Sequence, residues 1–93
     1  MPDWSFADPP DVACFTSHEV LHGREVILCV IHYADDGAWQ FFGSTVPSAS
    51  DVKLVGLGEI VERDATVEEL NDLLLGWMAK RVNAMLPWVR TAL

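Results

Sequence analysis

Glu25-Val26-Ile27-Leu28-Cys29-Val30-Ile31-His32-Tyr33, followed by Ala34-Asp35-Asp36-Gly37 and then Ala38-Trp39-Gln40-Phe41-Phe42, decides the fold. In the first nine residues Val26, Leu28, Val30 and His32 fall on one side of an extended chain. Ile27, Cys29, Ile31 and Tyr33 fall on the other. Both sides are apolar, which predicts an interior strand covered on both faces. Gly37 tolerates the positive φ of a tight hairpin turn, and Ala38 to Phe42 return as the paired strand.

On the N-terminal side, Val12 to Thr16 reads as a short strand. Thr16 or Ser17 then caps one helical turn that Gly23 closes. On the C-terminal side, Gly43 to Asp51 is a loop rich in Ser, Pro and Gly, and Val52 to Leu57 is a further strand. Gly58 breaks it, and Leu57, Ile60 and Val61 follow at helical spacing. Thr66-Val67-Glu68-Glu69 carries a capping-box pattern with acids in the first turn. Val67, Leu70 and Leu74 lie on one side of the helix this predicts, with Glu68, Glu69 and Asp72 toward water.

Beyond Leu75 two readings compete: the helix runs on toward Pro87, or Gly76 ends it and Trp77 to Val82 form a strand. A Gly inside a helix costs about 1 kcal/mol relative to Ala, which favours the strand. The expected fold is therefore α+β, a small antiparallel sheet with one main helix, about residues 66–75, packed on one face. Residues 1–11 read as an arm rich in Pro and Asp, with Trp4 and Phe6 docking back, and residues 12–93 as a single domain. One helix covers only one face of such a sheet. The arm, the C-terminal segment, a homodimer or an obligate partner must then cover the other.

Hydrophobic residues make up 51% of the 93-residue chain and charged residues 22%, which specifies a globular protein. The net charge is −8. Residues 1–75 hold all 14 acids and only Arg24, Lys53 and Arg63, a net −11, while residues 76–93 hold Lys80, Arg81 and Arg90 and no acid. An acidic body repels nucleic acid and suits a basic protein partner. No segment approaches the roughly 18 apolar residues of a membrane helix, and the N-terminus lacks the basic and apolar regions of a signal peptide. The expected compartment is the cytoplasm, with no membrane association. Cys14 and Cys29 have neither metal-type nor redox-motif spacing and read as reduced, buried thiols.

His18-Glu19-Val20-Leu21-His22 is a literal His-Glu-x-x-His. In zinc hydrolases two His one helical turn apart bind the metal and the Glu acts as general base. His32, Glu59 and Glu62 are available as a third ligand. Against this, the helix would scarcely exceed the motif, and Arg24 and Glu25 follow at once where apolar anchoring is needed. Cys14 beside His18 or His32 reads as core rather than as a thiolate pair. Val55-Gly56-Leu57-Gly58-Glu59 lacks the further Gly and the Lys of a phosphate loop. Asp35 and Asp36 at the hairpin tip, with Glu59, Glu62 and Asp64, form a candidate acidic binding patch. No cofactor is expected.

Several segments together carry a resemblance: Cys14-Phe15-Thr16, Val20-Leu21 before Gly23, Val30-Ile31-His32, and Asp36-Gly37-Ala38-Trp39-Gln40-Phe41. The stretch from Leu54 to Asp64 and Gly76-Trp77-Met78-Ala79-Lys80-Arg81 complete it. Over residues 12–90 the chain resembles a group of small bacterial domains of unknown function related to the immunity proteins of polymorphic toxin systems. The resemblance implies a compact α+β domain in which the Gly-Trp segment is a strand, with no known cofactor or catalytic residues. The chain departs from the pattern at Leu75, where a Pro is usual, which keeps a longer helix open. The expected function is non-enzymatic binding of a basic protein. The alternatives are a zinc-dependent hydrolase and a structural homodimer.

Overall fold

A computed structural model describes residues 4–93. Met1 to Asp3, the start of the expected arm, lie outside the described residues. The elements in chain order are β1 (Ala13–Ser17), α1 (His18–Leu21), β2 (Cys29–His32), β3 (Trp39–Phe42), β4 (Val52–Gly56), α2 (Leu57–Arg63), β5 (Trp77–Lys80) and β6 (Val89–Ala92). Short 3-10 turns occupy Ala49–Asp51 and Ala65–Leu70. The six strands make one mixed sheet in the order β4-β1-β3-β2-β5-β6.

The expected antiparallel sheet is corrected at one pair. β2 returns antiparallel to β1 without touching it, and the hairpin then inserts β3 between them. β3 is antiparallel to β2 and so must be parallel to β1, with Phe15 opposite Gln40 and Thr16 opposite Phe41. The buried Thr16 hydroxyl donates to Phe41 O at 2.8 Å. The predicted strand from Glu25 shortens to Cys29–His32. Its first residues are drawn away because Arg24 and Glu25 donate their amides to Glu19 O, closing α1. The Glu25 carboxylate also accepts from the Thr45 hydroxyl at 2.8 Å.

The helix expected over 66–75 is corrected as well. Asp64, not Thr66, is the cap, accepting from Thr66 N at 3.0 Å. The Thr66 side chain is spent on Asp64 and Arg81, and the chain tightens into the 3-10 segment that stops at Leu70. Gly76, at φ +78°, turns the chain into β5. Trp77–Lys80 is thus a strand, the alternative that the cost of a helical Gly favours.

The longest helix is α2, which begins at Gly56 with no side-chain cap. The arm and the residue that follows it supply the acceptors instead: Leu57 N donates to Val12 O at 2.9 Å and Gly58 N to Pro10 O at 2.8 Å. A Cβ at Gly58 would meet Pro10 Cβ at 3.1 Å, so Gly-Leu-Gly serves close backbone approach. The arm is held down further by the buried Phe6 and by the Trp39 indole, which donates to Asp8 Oδ2 at 3.1 Å.

The core lies on one side of the sheet. Cys14, Val30, Phe41 and Ala79 project from the strands against Phe6, Leu57, Ile60, Val67 and Leu70. Arg81, at the end of β5, is buried among these elements. Its Nε donates to Ile27 O at 3.0 Å, its Nη1 to Thr66 Oγ1 at 2.9 Å and its Nη2 to Asp64 Oδ2 at 2.7 Å. The guanidinium also stacks 4.1 Å from the Trp88 ring centroid. Arg81→Met should lower the unfolding free energy by about 3 kcal/mol, because it leaves Asp64 and Ile27 O without their partner. Urea denaturation measures this, and Arg81→Lys should recover less than half, since an ammonium cannot serve three acceptors in one plane.

Candidate functional site

Strand alternation that buries Cys14, Val30, Phe41 and Ala79 on one side must turn their neighbours to the other. Register assembles those neighbours into rows. Leu54, Phe15, Gln40, Ile31, Met78 and Thr91 are successive cross-strand partners over all six strands. Phe42, Cys29, Lys80 and Val89 form a second row, with Val52 and Ser17 paired at its far end. Across both rows the sole charge is Lys80.

The apolar alternation of the central strand predicts cover on both faces, and this is corrected. α2, the 3-10 segment and the arm all pack on the core side, and this second face is open. Phe15, Cys29, Ile31, Phe42 and Met78 are half-buried, and Leu54, Val82 and Val89 are exposed.

Two shallow recesses mark the open face. One of about 370 Å³ lies at the hairpin end and is lined by Phe15, Tyr33, Asp35, Asp36, Gln40 and Phe42, among others. The other, of about 510 Å³, lies at the opposite end between Cys29, Phe42, Val46, Met78, Lys80 and Val82. Between them the Tyr33 hydroxyl donates to Gln40 Oε1 at 2.6 Å. Burial, with Cys29, Asp35 and Asp36 nearby, pushes the Tyr33 phenol above its ordinary range, so it stays a neutral donor.

The five acidic residues singled out by sequence take different places. Asp35 and Asp36 border the open face. Each commits one oxygen to the turn, Asp35 Oδ1 to Asp36 N and Asp36 Oδ1 to Ala38 N. Glu59 and Glu62 share a surface hollow with Arg63 on α2, across the sheet from that face, with Glu59 3.9 Å from Arg63. Asp64 is bound to Arg81 at 2.7 Å and belongs to the fold.

His18, Glu19 and His22 sit where the motif requires, on α1 and its last turn, and the two imidazole centroids are 4.2 Å apart. α1 is four residues long. Among the described residues no group of three or more His, Cys, Asp or Glu is placed to hold a metal. His32 is committed elsewhere: it stacks on Trp39 at 3.9 Å, and its Nδ1 lies 2.7 Å from Leu73 O. Cys14 is buried in the core, and desolvation, with Glu59 nearby, pushes its thiol to about 12. That leaves it protonated and unreactive at neutral pH.

The open face is readable in sequence as one side of Glu25 to Tyr33. Its extension over six strands is not, because β6 has four exposed residues and no apolar period. Comparison with known protein families, curated proteins and solved structures finds no match to this chain. No helix among the described residues is long and apolar enough to cross a membrane.

Three outcomes follow from the thiol and imidazole placements. In native protein a thiol reagent should label Cys29 and reach Cys14 only on unfolding. Because the Cys14 pKa is raised in the folded state, that state holds its proton where the unfolded thiol has lost it. Stability should therefore fall as pH rises from about 9 toward 12, and the fall should flatten in Cys14→Ala. Zinc at one equivalent should leave the melting temperature of wild type and His22→Ala alike, as calorimetry can check.

Proposed function

We propose that this chain is a non-enzymatic protein-binding domain of the cytoplasm, immunity-like in its role, whose binding surface is the open face of its sheet. One observation supports the reading above others. Apart from the buried Ser17, two rows of strand residues with one charge between them are left without a covering helix, and the loop residues Ser44 to Val46 only line a recess at one end. Aromatic and Met side chains supply the area that dominates protein–protein contacts, and Phe15, Tyr33, Phe42 and Met78 stand together here.

The acidic rim gives the surface its preference. Asp35 and Asp36 sit beside the aromatic recess and keep a carboxylate oxygen each for a Lys or Arg. The net charge of the whole chain, −8, steers a basic partner toward it. A small bacterial domain that blocks a basic toxin would need these features: a flat apolar platform, an anionic border and no catalytic set. Glu59 and Glu62, on the opposite side, add to the long-range field rather than to the contact.

The test uses a cationic protein of known composition, hen lysozyme, alongside partners captured from the native host at low salt. A basic partner should bind wild type at about 0.1 M salt and leave at about 1 M, as screening shortens from about 10 Å to about 3 Å. Asp35→Asn with Asp36→Asn should weaken it about tenfold, and Phe42→Glu should abolish it without unfolding the domain. Lysozyme should bind at least tenfold more weakly than the captured partner. Binding that survives both substitutions while failing on Glu59→Gln with Glu62→Gln would move the site to α2 and overturn the proposal.

A further inference from the structure

The open face carries its two kinds of charge at opposite ends. Asp35 and Asp36 lie at the hairpin tip, where β2 ends and β3 begins. Lys80 lies at the other end, opposite Cys29 at the start of β2. Between them runs the uncharged row of Leu54, Phe15, Gln40, Ile31, Met78 and Thr91. We infer that this face takes a second copy of the chain, face to face, with the strands of the two copies running end for end. The inference rests on the proposed reading of the open face as a protein-binding surface, and names its first occupant.

Symmetry and charge select the arrangement. A two-fold dimer presents the same patch twice, so its axis lies between the two sheets. An axis along the strands would set Asp35 and Asp36 against the same residues of the other copy, which repel. An axis across the strands reverses one copy end for end. Each Lys80 then stands over the partner copy's hairpin tip, about one strand spacing to the side, within a lysine's reach. The middle row packs on itself near the axis, and the pair becomes a β-sandwich with sheets about 10 Å apart.

Area sets the strength. Six strands of four or five residues span about 29 Å by 15 Å, a footprint on the order of 400 Å² per copy. A standard interface buries about 800 Å² per partner, so the pair belongs with weak, reversible associations. A micromolar dissociation constant is expected, which leaves the face free to exchange one copy for a tighter heterologous partner.

Sedimentation equilibrium of the full chain from about one to several hundred micromolar tests this. Wild type should pass from monomer to dimer over that range. Lys80→Glu should be monomeric, because the introduced carboxylates then face the acidic hairpin tips. Asp35→Lys with Asp36→Lys should be monomeric too, because the tips then face Lys80. The equimolar mixture of these two variants should dimerise more strongly than either alone, because both junctions of the mixed pair are attractive: the introduced carboxylate faces the introduced lysines, and the native Lys80 faces the native acidic tip. Melting temperatures within a few degrees of wild type would show both variants folded. A monomeric wild type would overturn the inference while leaving binding of a basic partner through Phe42 intact. A wild-type dimer whose variants show no preference for each other would overturn the end-for-end arrangement. Loss of both dimer and basic partner would sink the reading of the face itself.

Discussion

Arg81 is the constraint on which the rest of the structure depends. A buried guanidinium must find acceptors for its donors, and here its contacts come from three separate parts of the chain: Ile27 before β2, the Asp64–Thr66 junction and, through stacking, Trp88 before β6. A planar fork fixes both distance and direction, so α2 and the 3-10 segment are pinned to the core side at the end of β5. Asp64 serves twice, as helix cap and as counter-ion. The other end of α2 is fixed by the carbonyls of Pro10 and Val12. With both ends of the covering layer tied to one side, no helix among the described residues shields the other.

That asymmetry connects the fold to its proposed use. A chain of 93 residues that devotes its arm, α2 and its 3-10 segment to one sheet face leaves six strands with an apolar second face. Such a surface favours association over exposure to water. The hairpin contributes the two carboxylates that give the surface a polarity along the strands. The same end-to-end polarity that would orient a basic partner would orient a second copy of the chain.

Much of this was legible in the residues. The period-two run ending at Tyr33 located the interior strand, Gly37 its hairpin, Ser17 and Gly23 the ends of α1, and Gly76 the turn into β5. The strand expected after Gly76 is present over Trp77–Lys80, with Ala79 buried on the core side and Arg81 buried just beyond it. Other features were hidden because non-local contacts decide them. Thr66 reads as a cap, but a buried arginine recruits its hydroxyl, so Asp64 caps instead. α2 has helical spacing and no side-chain cap, since its cap is backbone from the arm. Five acids looked like one patch, whereas the topology sends Glu59 and Glu62 to the core-side layer, ties Asp64 to Arg81 and leaves Asp35 and Asp36 at the open face.

The most direct test of the open face as a contact surface is an amide chemical-shift dilution series on wild type. Concentration-dependent shifts should cluster at Phe15, Ile31, Gln40, Phe42, Met78 and Lys80 and at the hairpin tip, Asp35 and Asp36. Shifts confined to α2 or to the edge strands β4 and β6, or no shifts at any concentration together with no response of these residues to a basic protein, would contradict the account.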